Sequence, residues 1–231
     1  MTRTPTIVDP QEWASAREEL LVAEKEVWHA LDAVAARRRR LPMTPVASCD
    51  FATSDGPRTL AELFDGHDRL VVYQFMDNGP DHFCPGCTWF TDNIPSSAPG
   101  LLAENGVAFR VVSDMPLPQL DAYWARRGWT LPYASSHGTT WTSDTGAGGG
   151  FQLSAFLKID DGDDGGVHLT YATTSRGIDG LTFTTSLLDL TAWGRGEEWE
   201  DSPEGWPQVP TAMVPTTMPI EGSSTSFGRF R

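Results

Sequence analysis

One short stretch, Cys84-Pro85-Gly86-Cys87, constrains this chain more than any other. It holds two of the three cysteines and lies just after a strongly apolar run, Leu70-Val71-Val72-Tyr73-Gln74-Phe75-Met76. The pattern predicts a strand, a loop and then a helix that C-x-x-C opens. A cysteine at a helix N-terminus faces unpaired backbone N–H groups and the positive end of the helix dipole, and both favour its thiolate. A thiolate is a nucleophile and a metal ligand. The motif therefore narrows the chemistry to dithiol–disulfide exchange or to metal binding.

The chain has 231 residues, of which 39% are hydrophobic, so a substantial core is expected. Its net charge of −14 repels nucleic acid and anionic membranes, and neither is expected as a partner. The basic run Arg37-Arg38-Arg39-Arg40 closes a predicted helix, where cations complement the dipole. Three cysteines make no disulfide framework, and no stretch approaches the length of a membrane span. Residues 1–7 lack the apolar core of a signal peptide. A soluble, cytoplasmic protein with a reduced C-x-x-C is the expectation.

Asp9-Pro10 offers an N-cap followed by proline at the first helical position. Trp13, Ala16, Leu20, Val27, Leu31 and Val34 then recur at helical spacing, predicting an amphipathic helix of about seven turns that docks on the domain or on a second subunit. Strands are expected over residues 49–53, 69–76 and 107–112, and a single helical turn over 60–64. A helix is expected over 118–127, with Gly128 as its C-cap. Residues 151–159 and 167–173 read as a hairpin across the Asp/Gly-rich loop between them. A last helix is expected over 178–193, and a Pro/Ser/Thr-rich extended tail beyond it. This order predicts an α/β fold with a thioredoxin-like mixed sheet flanked by helices. The expected organisation is an N-terminal helical extension (1–41), a thioredoxin-like domain (42–199) and a tail (200–231).

With these pieces in order, the chain resembles the thioredoxin-like, peroxiredoxin-related proteins of domain-of-unknown-function family 899. The resemblance is carried by the N-terminal helix, Leu60-Ala-Glu-Leu-Phe-Asp-Gly66, the strand at 70–76, and Cys84-Pro-Gly-Cys-Thr-Trp-Phe-Thr-Asp92. It continues through Arg127-Gly-Trp-Thr-Leu-Pro-Tyr133, Phe156-Leu-Lys, Thr170-Tyr-Ala-Thr-Thr-Ser-Arg-Gly177 and Leu188-Asp-Leu-Thr-Ala-Trp-Gly194. It implies a thioredoxin-like fold; it supplies no settled activity, although members of the family are described as thiol-disulfide oxidoreductases. The chain departs from the family at Leu169, where a histidine is usual and His168 lies one position earlier. Residues 145–150 and the tail after Trp206 also differ.

In the redox reading Cys84 attacks and Cys87 resolves the mixed disulfide. Pro85 stiffens the loop, and Gly86 leaves room for a substrate backbone. Arg176 stands in a motif shared with the family and is a candidate for stabilising a thiolate or an anionic substrate. The substrate class is a small-molecule or protein disulfide, with no cofactor required. A peroxidase variant would pass through a sulfenic acid on Cys84. In the alternative reading His82, Cys84 and Cys87 hold copper or zinc in an enzyme acting on a small metabolite. Cys49 reads as a core residue, or as a third sulfur ligand if its strand neighbours the one at 70–76. His137 and His168 are the next candidate nitrogen ligands. A third reading is a non-catalytic binding module, forming a homodimer through the N-terminal helix.

Overall fold

A computed structural model describes residues 4–160, 162 and 165–208. Its first helix, α1 (Pro10–Arg38), begins where the sequence places it: the Asp9 carboxylate accepts the backbone N–H groups of Gln11 and Glu12, both at 2.9 Å. Strands β1 (Thr44–Pro45), β2 (Asp50–Thr53) and β3 (Gly56–Thr59) follow, then a 3-10 turn at Ala61–Phe64 and β4 (Arg69–Phe75). Next come α2 (Pro85–Asp92), α3 (Ala98–Glu104), β5 (Val107–Ser113), α4 (Leu117–Arg127), β6 (Tyr133–Ser135) and α5 (Trp141–Asp144). Strands β7 (Gln152–Ile159) and β8 (Gly166–Thr173), a 3-10 turn at Ser175–Leu181 and α6 (Phe183–Leu188) complete the order.

One eight-stranded sheet runs β1-β8-β7-β4-β5-β6-β2-β3. At its centre β4 and β5 are parallel, while β7 is antiparallel to β4 and β8 antiparallel to β7. A parallel pair joined through a helix, flanked by a returning hairpin in the order β8-β7-β4-β5, is the thioredoxin-like core. The departure lies between β5 and β7. There the chain lays α4 on the face that carries α2, adds β6 parallel to β5, and crosses to place α5 on the other face.

The alternation of β4 divides the interior in two. Leu70 and Val72 point into a cluster with Phe51, Leu60, Leu63, Phe64, Ala108, Val112, Trp141 and Phe156. Tyr73 and Phe75 point into the other, with Cys84, Cys87, Phe90, Val111, Leu120, Tyr123, Trp124 and Ile178. Helix α2 is pinned to this second face. Its Asp92 is ion-paired with Arg127 and accepts the Trp129 indole N–H at 2.8 Å, and Asn93 accepts the Thr184 backbone N–H at 3.0 Å.

One expectation is revised. The helix over 178–193 is instead a 3-10 turn and the short α6. Gly177, Gly180 and the threonines at 182, 184 and 185 disfavour a continuous helix, and the Thr182 and Thr185 hydroxyls bond the Asp179 carbonyl instead. Helix α1 leaves its apolar stripe exposed: none of its residues is buried, and its last turn meets the sheet through Arg38 over the Tyr171 ring. Gly128 does cap α4 in the left-handed conformation, with φ +68°. The tail expected over 200–231 lies beyond the described residues from 209 onward. No helix among the described residues is long and apolar enough to cross a membrane.

Candidate active site

The dithiol is built where β4 ends. The strand delivers the chain to one end of the sheet, and a loop closed by a bridge between Asp77 and Phe83 turns it back. Gly79 (φ +93°) and Asp81 (φ +60°) make that turn. Cys84 is the N-cap of α2, with extended backbone (φ −60°, ψ 114°), and Pro85 opens the helix, where its missing N–H costs no hydrogen bond. The Cys84 sulfur accepts the Cys87 backbone N–H at 3.2 Å. The Cys87 sulfur accepts the Met76 backbone N–H at 3.4 Å, which fixes the second thiol against the end of β4. Both cysteines are free thiols and wholly buried.

The two thiols are driven apart in acidity. The Cys87 thiol donates to Cys84 and holds its thiol below the ordinary value; the backbone N–H groups of Cys87 and Gly86 act in the same direction, and burial opposes them. Cys87 is pushed well above its ordinary value, chiefly by burial and then by its bond to Cys84, while the Met76 N–H and the Tyr73 hydroxyl pull back. Of the two thiols, Cys84 is therefore the one that loses its proton more readily.

An aromatic and hydroxyl shell surrounds the pair. The Phe83 and Tyr123 rings stack at 3.7 Å, with the Arg126 guanidinium 4.8 Å from the Phe83 centroid. The Thr88 hydroxyl donates to the Cys84 carbonyl at 2.8 Å and meets the Tyr123 hydroxyl at 2.6 Å, tying α2 to α4. Tyr73 packs on Phe90 at 4.2 Å, and burial and the neighbouring sulfurs make its hydroxyl a weaker acid than usual. Sequence reasoning missed Tyr73, Thr88 and Tyr123. The signal for Tyr73 lay in the strand itself: it shares the face of Phe75, which the C-x-x-C helix covers.

The other candidates lie elsewhere. Gly86 is buried, so it offers no open approach for a substrate backbone. The His82 ring is exposed and its Nδ1 lies 2.7 Å from the Pro80 carbonyl. Among the described residues no three His, Cys, Asp or Glu side chains converge as a metal-ligand set. Cys49 packs against the opposite cluster, beside a strand that β5 and β6 separate from β4, so it is not a third sulfur at the dithiol. Burial, opposed by a Thr139 hydrogen bond, pushes its thiol up to about 11. Arg176 is exposed and turned toward the C-terminal segment, 3.6 Å from the Trp199 ring centroid. The His137 Nδ1 lies 2.9 Å from the Asp114 carbonyl. His168 is buried opposite Leu157, which pairs with Arg69 at the start of β4, the end away from the dithiol.

The family model described as "Bacterial protein of unknown function (DUF899)" matches residues 2–212. No curated protein gives a significant match. Among solved structures, a peroxidoxin, BcpB, from Mycobacterium tuberculosis is 20% identical, with 58% of this chain and 86% of that chain covered and a TM-score of 0.42. Peroxiredoxin Q from Xanthomonas campestris is 18% identical over 58% of this chain and 84% of that one, with a TM-score of 0.40. A thiol:disulfide interchange protein of the thioredoxin family from Chlorobium tepidum is 22% identical over 55% and 85%, with a TM-score of 0.36. At such low identity and overlap, the fold assignment rests on the strand order and connections given above.

Proposed function

Since the chain belongs to this bacterial family of unknown function, we propose from the site alone that it is a thiol-disulfide oxidoreductase in which Cys84 is the nucleophile and Cys87 the resolving thiol. The observation that carries the reading is the placement of the two sulfurs. Cys84 caps α2 and its sulfur accepts the Cys87 backbone N–H at 3.2 Å, while the Cys87 sulfur is held against the end of β4 by the Met76 N–H at 3.4 Å; the first thiol is driven below its ordinary value and the second above it.

The reaction follows from that division. The Cys84 thiolate attacks one sulfur of a substrate disulfide, the substrate S–S bond breaks, and the leaving thiolate takes a proton from water. Cys87 then loses its proton and attacks the Cys84 sulfur. The mixed disulfide breaks, the second substrate thiolate takes up that proton, and a Cys84–Cys87 disulfide remains. The substrate has gained two electrons, and the protein has lost two from its thiols. The Tyr73 hydroxyl favours the Cys87 thiolate during the second step. Because both sulfurs are wholly buried, the first step requires the surroundings of Cys84 to open to the substrate. No observation favours the copper or zinc reading over this one.

Equilibration in buffers of reduced and oxidised dithiothreitol tests the proposal. Peptide mapping should recover a Cys84–Cys87 disulfide that forms and disappears reversibly with the buffer. Only intermolecular dimers, or no disulfide at any poise, would remove the dithiol mechanism.

A further inference from the structure

Helix α1 carries a second pattern that its length makes conspicuous. Trp13, Leu20, Val27 and Val34 recur every seven residues, and Ala16, Ala23 and Ala30 stand three residues after the first three of them. These are the a and d positions of a heptad repeat, with every a large and every hydrophobic d an alanine. A stripe that alternates large and small in this way cannot fill its own holes, but a second copy running the other way can. The stripe is bare: Trp13 is 62% exposed, Leu20 55%, Val27 57% and Val34 46%. Leu31 and, further round, Trp28 extend it on the side away from the alanines, and both are exposed. The last turn meets the sheet, with the Arg38 guanidinium 4.5 Å from the Tyr171 ring centroid.

Charge sets the direction. Residues 9–26 carry six carboxylates and two cations, whereas residues 27–40 carry one carboxylate and four arginines. Two parallel copies would place Arg37 to Arg40 against their own kind. Two antiparallel copies place them beside the acidic first half of the partner helix at both ends.

We propose that α1 pairs antiparallel with α1 of a second copy of this chain, forming a two-fold symmetric homodimer. With the helices fully overlapped, Leu20 lies opposite the partner's Ala30, Val27 opposite the partner's Ala23 and Val34 opposite the partner's Ala16. Trp13 meets the partner's Arg37, and Glu12 lies on the same side of the seam as the partner's Arg40. The contact is isologous, so it closes at two copies and leaves no edge for a third. It lies on an element separate from the dithiol and stands whether or not the redox reading does.

Light scattering on the full-length chain at micromolar concentration is expected to give the mass of two chains. L20D/V27D should give the mass of one, with unchanged near-ultraviolet circular dichroism from the buried tryptophans and reduced helix content as α1 loses its partner. Disulfide trapping reads the direction. L20C/A30C should cross-link to a doubled chain under mild oxidation, while L20C alone, like the unmodified chain, should not. A one-chain mass for the unmodified protein would overturn the proposal, leaving the stripe to the residues after 208 or to another surface. So would a two-chain mass that survives L20D/V27D. Cross-linking of L20C alone would show a parallel pair and overturn the assigned geometry.

Discussion

Cys84 and Cys49 sit on opposite faces of one sheet, and their surroundings drive them in opposite directions. Cys84 lies at a helix N-terminus with an N–H and a neighbouring thiol aimed at its sulfur, which outweigh the effect of burial. Cys49 lies beside a two-residue-turn hairpin, where burial and the carboxylates of Asp144 and Asp50 outweigh the Thr139 hydrogen bond. The difference shows that burial alone does not decide a thiol's reactivity. What decides it is whether the fold delivers donors to the sulfur, and the strand-loop-helix of β4 and α2 delivers them.

The sharpest break of that comparison is removal of one sulfur at a time. Cys84→Ser is expected to lower dithiol-driven reduction of a small disulfide at least about a thousandfold, since the nucleophile itself is gone. Cys49→Ser should leave the rate within about twofold. Equal losses in the two variants would mean that the faces had been assigned wrongly. Cys87→Ser should abolish turnover but still allow the first exchange, leaving a mixed disulfide on Cys84.

The two faces also differ in what holds them. On the Cys49 side the Trp141 indole N–H donates to the Gln74 side-chain oxygen at 2.9 Å, with both residues buried. Trp141→Phe should cost about 2–4 kcal/mol in denaturant unfolding, because it leaves that acceptor unsatisfied and a void beside Phe51 and Phe156. On the dithiol side Tyr123→Phe removes a hydroxyl whose partner Thr88 keeps the Cys84 carbonyl. The expected cost is about 1 kcal/mol.

The smallest effect is one of pH. Cys49 rises from 9.0 unfolded to about 11 folded, so the folded state binds its proton more tightly. That contribution is fully present below pH 9 and is lost as the pH rises toward 11. Cys84 is shifted the other way: its contribution is present above its unfolded value of 9.0 and is lost as the pH falls through its folded value. Between pH 9 and 11 the parent protein should therefore lose stability more steeply than Cys49→Ala. Parallel alkaline limbs would contradict the Cys49 environment.

The dithiol's place was legible because local chemistry wrote it: an unbroken apolar strand, a loop and a proline after the first cysteine. The N-cap at Asp9 and the glycine cap at Gly128 were legible for the same reason. What stayed hidden depended on distant pairings. Tyr123 reaches Thr88 across 35 positions, and Trp141 reaches Gln74 across 67. The strand holding Phe51 lands three places from β4 because β6 intervenes, and that strand, only three residues long, carries no alternation to announce it. Arg176 looked like a site residue because it shares a motif with the family, yet the left-handed backbone at Ser175 precedes a guanidinium stacked on Trp199.

The most direct test of the central claim uses the Cys87→Ser protein and an excess of an aromatic disulfide. Cys84 should release one equivalent of aromatic thiolate and keep the other half as a stable adduct, recovered by mass on the peptide that spans residue 84. The pH midpoint of that reaction should lie above that of the first exchange in the parent, because the Cys87 thiol no longer donates to the Cys84 sulfur. An adduct found on Cys49, with Cys84 unmodified, would contradict the account.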